Sequence, residues 1–264
     1  MEKVTSAHGT EIAFDRYGSG PALILVPGAT AYRAVDETTA ELARLLAERF
    51  TVIHYDRRGR GDSGDTLPYA VEREAEDIGA LVAAAGGRAH AFGMSSGAVL
   101  ALAAAQHGAA LERLVLYEPP VLTHPDDPVD RSYRRELEAM LAEGRNGDAL
   151  ARFLSMVGMP AAELDGFRAS PAWGAFEAVA PTLAYDAALM DEFSRGEPIP
   201  SGTWDRVTQQ VLVLEGSESP QFMRRGAAAV ADALANGEVR SLPGQTHSFE
   251  PAVLAPVLVE FLEG

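Results

Sequence analysis

The sequence predicts an α/β protein in which helices cover both faces of a mostly parallel β-sheet. Short apolar segments typical of buried strands alternate with longer amphipathic or Ala-rich segments typical of helices. This alternation indicates a parallel sheet, because neighbouring parallel strands need a crossover connection between them. With 264 residues, 47% of them hydrophobic, the chain can bury one substantial core, so we expect a single overall domain.

The first part of the chain supplies strands and helices in turn. The alternation of apolar and polar residues in EIAFDRYG predicts a half-buried strand. Further strands are predicted at PALILVPG, FTVIHYD, AHAFG and LERLVLYE. Helices are predicted between them, in the segments ETTAELARLLAER, EREAEDIGALVAAA and AVLALAAAQHG. The segment DRRGRGDSGD, after FTVIHYD, has the composition of a turn.

The strand pattern stops between Pro119 and about Arg206, where the chain becomes helical in character. Helices are predicted in RSYRRELEAMLAEG, GDALARFLSMVGM and PAWGAFEAVAPTLAYDAALM, with Asp148 as an N-terminal cap of the second. The alternation then returns in QVLVLEG, QFMRRGAAAVADALA, EVRSL and EPAVLAPVLVEFLEG. We therefore expect residues 119–206 to form a helical cap inserted in a core made of residues 1–118 and 207–264.

Composition limits the kinds of partner. The 22 Lys and Arg residues against 38 Asp and Glu give a formal net charge of −16, which repels nucleic acids and anionic membranes. Cysteine is absent, which excludes disulfides and cysteine nucleophiles. The N-terminus has no signal-peptide pattern, and no apolar run is long enough to span a bilayer. We expect a soluble, cytoplasmic protein that binds a small molecule, as a monomer or a homodimer.

The stretch HAFGMSSGAVLALAAAQ contains the most informative motif. Gly93, Ser95 and Gly97 form the pattern G-x-S-x-G where a predicted strand turns directly into a predicted helix. A Cβ at either glycine would crowd the neighbouring strand or helix, and the tight turn would expose the Ser95 hydroxyl above the sheet edge. Ser96 begins the helix, where its free backbone N–H suits the stabilisation of an oxyanion. The alternative is that one of the serines is only a helix N-cap.

Several segments together resemble the α/β-hydrolase family over essentially the whole chain. They are LILVPGAT, YDRRGRGDS, AFGMSSGA, LVLYEPP, VLVLEGSE and GQTHSFE, in that family's order and spacing. The resemblance implies an α/β-hydrolase fold with eight mostly parallel strands, a helical cap inserted after the sixth, and a serine–acid–histidine triad. A mechanism based on such a triad needs no metal or organic cofactor.

The resemblance assigns the base to a histidine between the last strand and the last helix. His247, in LPGQTHSFEP, lies there, and a solvent-facing loop histidine is the alternative interpretation. His54 and His90 lie on predicted strands, and His107 ends a predicted helix, where the helix dipole favours a cation. We therefore expect His247 to be the base.

The acid has two candidates. In the family it most often follows the seventh strand, but Ser219 stands at that position here. A branch of the family that includes haloalkane dehalogenases instead carries a Glu after the sixth strand, and LVLYEPP supplies Glu118 there. Glu118 is the first choice and Glu218 the alternative, while a turn-capping role for Glu118 or a solvated Glu218 would be structural interpretations.

The resemblance places the second oxyanion donor in the loop after LILV. The Ala29 backbone N–H is the candidate, with Gly28 supplying backbone freedom. Most relatives have His-Gly here, whereas this chain has Pro27-Gly28, which keeps the main-chain donor and loses any support from a histidine side chain.

The segment DRRGRGDS invites comparison with a phosphate site. Its glycines are not followed by Lys-Ser or Lys-Thr, so it is not a P-loop, and the resemblance implies a structural turn. We expect Asp56 and Asp62 to pair locally with the arginines of the segment, which are Arg57, Arg58 and Arg60.

These assignments predict a serine hydrolase acting on a small, fairly apolar carboxylic ester, lactone or thioester through an acyl-enzyme. Apolar cap residues favour an apolar substrate, although most of them must pack the cap onto the core; they are Tyr133, Met140, Phe153, Met156, Met159, Trp173, Phe176 and Tyr185. C–C bond hydrolysis and cofactor-free perhydrolysis on the same triad remain alternatives, as does a non-catalytic ligand receptor or pseudoenzyme. Epoxide hydrolase and dehalogenase chemistry is disfavoured, because those relatives use Asp where this chain has Ser95.

Overall fold

The structure is a computed structural model that describes residues 1–264. Its strands are β1 (Glu2–Thr5), β2 (Glu11–Tyr17), β3 (Ala22–Val26), β4 (Thr51–Tyr55), β5 (Ala89–Met94), β6 (Leu111–Tyr117), β7 (Gln210–Gly216) and β8 (Gly237–Leu242). They form one eight-stranded sheet in the order β1-β2-β4-β3-β5-β6-β7-β8. β1 pairs with β2, and β2 with β4, in antiparallel fashion, and all other pairings are parallel. The predicted mostly parallel eight-stranded sheet is confirmed.

Helices connect these strands. They are α1 (Glu37–Leu46), α2 (Val71–Ala84), α3 (Ser96–His107), α4 (Tyr133–Ala142), α5 (Asn146–Met156), α6 (Ala161–Arg168), α7 (Trp173–Val179), α8 (Leu183–Met190), α9 (Gln221–Asp232) and α10 (Pro251–Glu263). Two short 3₁₀ turns, Ala180–Thr182 and Asp191–Phe193, flank α8. Between β6 and β7 the regular structure is entirely helical, and we call residues 119–206 the helical insert. No helix combines the length and the apolar character needed to cross a bilayer.

Helices pack on both faces of the sheet. One face packs against α2, α3 and α9 through apolar side chains such as Ile78, Leu100 and Val230. The other face packs against α1 and α10 through side chains such as Leu42 and Leu258. The prediction of helices on both faces is therefore confirmed, and the sheet is buried between two apolar layers. The helical insert has a smaller apolar cluster of its own, contributed by α4, α5, α7, the first 3₁₀ turn and α8.

The sequence-based prediction differs from the structure at a few elements. β1 and α6 were not predicted, because β1 has four mostly exposed residues and α6 has no buried residue to create a pattern. The predicted cap at Asp148 is wrong, since Asp148 lies within the first turn of α5 and its carboxylate accepts hydrogen bonds from Arg145 and Arg168. The long helix predicted before Met190 is broken at Ala180–Thr182, where Pro181 interrupts it.

Candidate active site

Ser95 occupies a strained turn between β5 and α3. Its backbone angles, φ 55° and ψ −127°, lie in a region that residues other than glycine rarely adopt. The turn is held in place because the Ser95 N–H donates a hydrogen bond of 2.9 Å to the Tyr117 carbonyl at the end of β6. The structure therefore places Ser95 at the predicted strand-to-helix junction, half-buried at the carboxyl edge of the sheet.

The glycines on either side of Ser95 are required by close packing. A Cβ on Gly97 would come 2.3 Å from the Val26 carbonyl oxygen of β3, and a Cβ on Gly93 would come 2.5 Å from the Gly97 carbonyl oxygen. Both distances are far below van der Waals contact. The prediction that side chains here would crowd the neighbouring strand and helix is confirmed.

Glu118 and His247 lie together at the same edge of the sheet. Glu118 follows β6 with a φ of 45°, and its carboxylate is fully buried. Its Oε2 lies 2.8 Å from His247 Nδ1, and its Oε1 accepts a hydrogen bond of 2.8 Å from the Gly216 N–H. Burial raises the pKa of Glu118, but the hydrogen bonds from His247 and Gly216 outweigh it, so the pKa lies below its ordinary value.

The loop that carries His247 is fixed from several directions. The Tyr117 hydroxyl donates to the Thr246 carbonyl at 2.5 Å, and the Gln245 side-chain oxygen accepts the Glu250 N–H at 2.7 Å. A Cβ on Gly216 would come 2.3 Å from the Gln245 carbonyl oxygen, so β7 packs directly against this loop. These contacts hold the imidazole next to the Glu118 carboxylate, while 45% of the His247 side chain remains exposed.

Glu218, the alternative acid, does not approach His247. Its side chain is exposed and accepts a hydrogen bond from the hydroxyl of its neighbour Ser217. Of the other histidines, His54 and His90 are buried on their predicted strands, and burial lowers the pKa of both. The structure therefore brings His247 together with Glu118 and leaves Glu218 in solvent.

The loop after β3 approaches Ser95 closely. A Cβ on Gly28 would lie 3.2 Å from Ser95 Cβ, so only glycine allows the loop to come this near. The prediction that Gly28 supplies backbone freedom is wrong, because its φ is not in the left-handed region. Thr30, two residues later, adopts the left-handed conformation, with a φ of 60°. The backbone N–H groups of Ala29 and Ser96 make no hydrogen bond within the chain. The Ser95 hydroxyl and the His247 ring are not hydrogen-bonded to each other, and such contacts are often loose in substrate-free enzymes.

The predicted local pairing of the DRRGRGDS segment is wrong. Asp56 and Asp62 accept hydrogen bonds from Arg33, on the loop after β3. The arginines reach further: Arg58 binds Asp77 of α2, Arg57 binds Glu74 and Asp186, and Arg60 binds Asp186. All three arginine side chains are buried, which is compatible with charge only because each is paired. The segment is therefore a structural cluster, and its arginines offer no open phosphate site.

Glu74 and Asp186 were missed by the sequence analysis. Both are buried carboxylates: Asp186 is the one buried charged residue of α8, whereas Glu74 shares the buried face of α2 with Asp77. A lone acid among buried apolar positions, as in the α8 sequence LAYDAALM, was the available signal, because such a group must find a cation. Burial raises the pKa of Asp186, but the charges of Arg57 and Arg60 lower it below its ordinary value.

The loop after β3 contacts the helical insert at Ala29 and Tyr32. Ala29 packs against the insert's apolar cluster, whose partly buried members include Tyr133, Met140, Phe153 and Phe176. The Tyr32 hydroxyl also donates to the Ala175 carbonyl of α7. In contrast, Met156 is exposed on the surface. Tyr185 stacks on Tyr69 with ring centroids 4.0 Å apart, and its hydroxyl donates to Asp65, so this side chain joins the insert to the core.

The fold and sequence match known hydrolases. The profile of the alpha/beta hydrolase family matches residues 23–257. The crystal structure of an alpha/beta hydrolase from Sphaerobacter thermophilus is 47% identical, with a TM-score of 0.88 over 99% of this chain and 100% of that one. An esterase from Exiguobacterium antarcticum shares the fold at 20% identity, with a TM-score of 0.72 over 99% of both chains.

A curated relative has a named activity. The N-formylmaleamate deformylase of Pseudomonas putida is 42% identical over 137 residues, which are 50% of this chain and 48% of that protein. The chain thus matches about half the length of this relative.

Proposed function

The chain belongs to the alpha/beta hydrolase family, and from this membership we propose that it is a serine hydrolase of small, fairly apolar carboxylic esters, lactones or thioesters. The observation that carries the proposal is the 2.8 Å contact between His247 Nδ1 and the buried Glu118 carboxylate, at the sheet edge where Ser95 occupies its strained turn. In this proposal Ser95 is the nucleophile, His247 the base and Glu118 the acid.

The geometry supports a two-step acyl transfer. A proton on His247 Nδ1 directed at Glu118 leaves Nε2 unprotonated, so that Nε2 can accept the Ser95 proton during attack on the substrate carbonyl. The free Ala29 and Ser96 N–H groups then stabilise the negative oxygen of the tetrahedral intermediate. Nε2 returns the proton to the leaving alcohol or thiol, and water releases the acyl group by the same route.

The helical insert acts as a cap in this proposal. Its partly buried apolar side chains, among them Tyr133, Phe153 and Phe176, pack against the same cluster as Ala29 and favour an apolar acyl or alcohol group. Arg57 and Arg60 lie beneath the site but are neutralised by Glu74 and Asp186, so they offer no free cation to an anionic substrate. We therefore favour a neutral substrate.

Hydrolysis of an N-formyl amide is the second candidate. The identity to N-formylmaleamate deformylase over half of the chain favours it, and a formyl amide needs the same nucleophile, base and oxyanion donors. We rank it second because N-formylmaleamate carries a carboxylate, and Arg57 and Arg60 are already paired with carboxylates of the chain and offer it no free cation.

Labelling with a fluorophosphonate probe and turnover of p-nitrophenyl esters test the proposal. We expect Ser95→Ala and His247→Ala to abolish turnover, whereas Ser96→Ala retains labelling. Glu118→Gln should lower kcat by about 10²–10⁴-fold, because the imidazole loses its orienting carboxylate. Glu218→Gln is the matched control and should resemble the parent. A parent that neither labels nor turns over an ester or a formyl amide would exclude the proposed function.

A further inference from the structure

We propose that Asp186, in the helical insert, is a positioning residue that holds both oxyanion donors in place. The inference rests on the proposed function, because it concerns how the Ala29 and Ser96 N–H groups are oriented. Asp186 touches neither donor directly. Its two carboxylate oxygens reach the two donors through separate contacts, one by way of Arg60 and one through the Ser96 hydroxyl.

The first contact orients the Ala29 N–H. The Gly28 carbonyl and the Ala29 N–H belong to the same planar peptide unit and point in opposite directions. Arg60 Nη1 donates to the Gly28 oxygen at 2.6 Å, while Nη2 of the same guanidinium donates to Asp186 Oδ2 at 2.5 Å. Because the guanidinium is planar and rigid, fixing one end of it fixes the other. Asp186, together with Thr182, whose hydroxyl oxygen accepts a hydrogen bond of 3.0 Å from Arg60 Nε, therefore sets the direction in which the Ala29 N–H points.

The second contact anchors the start of α3. The Ser96 hydroxyl donates to Asp186 Oδ1 at 2.7 Å, and Arg57 Nη1 donates to the same oxygen at 2.8 Å. Ser96 is the first residue of α3, so its backbone N–H has no partner within the helix. Holding the Ser96 side chain fixes the residue whose N–H faces the oxyanion. The hydroxyl of the second serine in the G-x-S-x-G motif thus has a role distinct from that of Ser95.

Burial makes this arrangement rigid. Arg57, Arg60 and Asp186 expose at most 5% of their surface, and Glu74 completes a cluster with two positive and two negative groups. In a buried site, hydrogen bonds between charged groups are strong, and an unpaired member is costly. The oxyanion donors are therefore held by contacts that solvent does not exchange.

The neighbouring residue provides a matched control. Tyr185 precedes Asp186 on α8 and also joins the insert to the core, through the hydrogen bond to Asp65 and stacking on Tyr69. None of these contacts involves Gly28 or Ser96. If the insert only needed a link to the core, Tyr185→Phe should also lose activity, whereas loss of positioning should affect only Asp186→Asn.

The experiment compares these variants with the parent in p-nitrophenyl butyrate hydrolysis and in binding of a trifluoromethyl ketone, which forms a tetrahedral oxyanion on the serine. We expect Asp186→Asn to lower kcat about 100-fold, the effect of losing or displacing an oxyanion donor, with KM changed less than about threefold. Affinity for the ketone should fall by a similar factor. Tyr185→Phe should stay within about threefold of the parent in all three quantities.

Ser96→Ala provides a second test that keeps the charge cluster intact. If Asp186→Asn does not fold, this variant alone tests the positioning role. It removes one of the two contacts, and we expect kcat about fivefold lower with unchanged KM. The inference is overturned if folded Asp186→Asn retains the parent's kcat and ketone affinity, if Tyr185→Phe loses as much, or if Ser96→Ala has the parent's kcat. A parent without hydrolase activity overturns the proposed function and this inference together. If the parent is active and the variants do not behave as expected, only the positioning role of Asp186 is overturned.

Discussion

Glu118 combines complete burial, a left-handed backbone and a lowered pKa in one residue. Its hydrogen bonds to His247 and the Gly216 N–H stabilise the ionised carboxylate more than burial destabilises it. A carboxylate whose pKa falls on folding contributes stability above its unfolded pKa and loses that contribution as the pH falls through its folded pKa. Glu118 therefore couples the stability of the fold to pH.

Glu118→Gln should show this coupling. We expect the variant to be less stable than the parent by about 1–3 kcal/mol at pH 7, the usual contribution of hydrogen bonds to a charged group. The difference in unfolding free energy should shrink below about pH 4.5, where the carboxylate of the unfolded chain takes up a proton, and shrink further as the pH falls through the lowered pKa of the folded state. Urea denaturation at several pH values between 7 and 3.5 measures it.

Glu218→Gln is the control for this series, because the Glu218 side chain is exposed. Its unfolding free energy should equal that of the parent throughout the pH range. A Glu118→Gln deficit that grows as the pH falls would contradict the assigned direction of the pKa shift.

The candidate triad could be predicted at the residue scale because each member follows a strand. Ser95 and Glu118 come directly after β5 and β6, which are neighbours in the sheet, and His247 follows β8. Carboxyl ends of parallel strands meet at one edge, so sequence position alone brings these residues near each other. The choice between Glu118 and Glu218 needed side-chain positions, because both lie on loops at that edge.

At the scale of elements, the approach of α3 to β3 determines the shape of the site. Gly97 lets the first turn of α3 lie against the Val26 carbonyl, and this contact brings the Ser95 turn next to the loop that carries Ala29. The approach is between backbones, so no side-chain rearrangement relieves a clash there. The contact of α3 with β3 thus depends on the missing Cβ of Gly97.

Gly97→Ala should therefore be destabilising. A Cβ 2.3 Å from the Val26 oxygen forces α3 away from the sheet, at a cost of about 1–3 kcal/mol or more, and should lower ester turnover as well. Chemical denaturation and steady-state kinetics on the same preparation measure both effects.

Gly79→Ala is the control for that substitution. Gly79 lies in the middle of α2, and a Cβ there would meet no atom within 4 Å. Alanine should stabilise this helix by about 0.5–1 kcal/mol, and turnover should be unchanged. If both alanine variants had the same stability, close packing would not be the reason for glycine at position 97.

The elements that sequence patterns predicted are those with buried apolar faces. β7 was predicted with its observed bounds, since Val211–Leu214 form a continuous buried run. β1 and α6 were not predicted, because their residues are mostly exposed and show no periodic pattern of apolar residues. The ion pair between Arg60 and Asp186 of the helical insert was not predicted either, because the two residues are 126 positions apart and no local sequence pattern relates them.

At the scale of the whole molecule, the net charge of −16 opposes the approach of anions. The arginines beneath the candidate site do not counter this field locally, because Arg57 and Arg60 are paired with Glu74 and Asp186. The field and the local pairing therefore act in the same direction, against anionic substrates.

Esters of different charge should reveal this selectivity. We expect kcat/KM for p-nitrophenyl butyrate to exceed that for the mono-anionic p-nitrophenyl glutarate by about tenfold at low salt. Added NaCl should narrow the gap by screening the field, with little effect on the neutral ester. A preference for the anionic ester at every salt concentration would favour the deformylase-like alternative.

The ion pairs of Asp186 also constrain how such proteins can be re-engineered. Exchanging the helical insert for one from another hydrolase is an obvious way to change specificity, since the insert lies between two core segments. A donor insert without a carboxylate at this place would leave Arg57 and Arg60 buried with Glu74 as their nearest counter-charge, at a cost of several kcal/mol. Functional chimeras built on this core must therefore keep Asp186 in the new insert or replace both arginines.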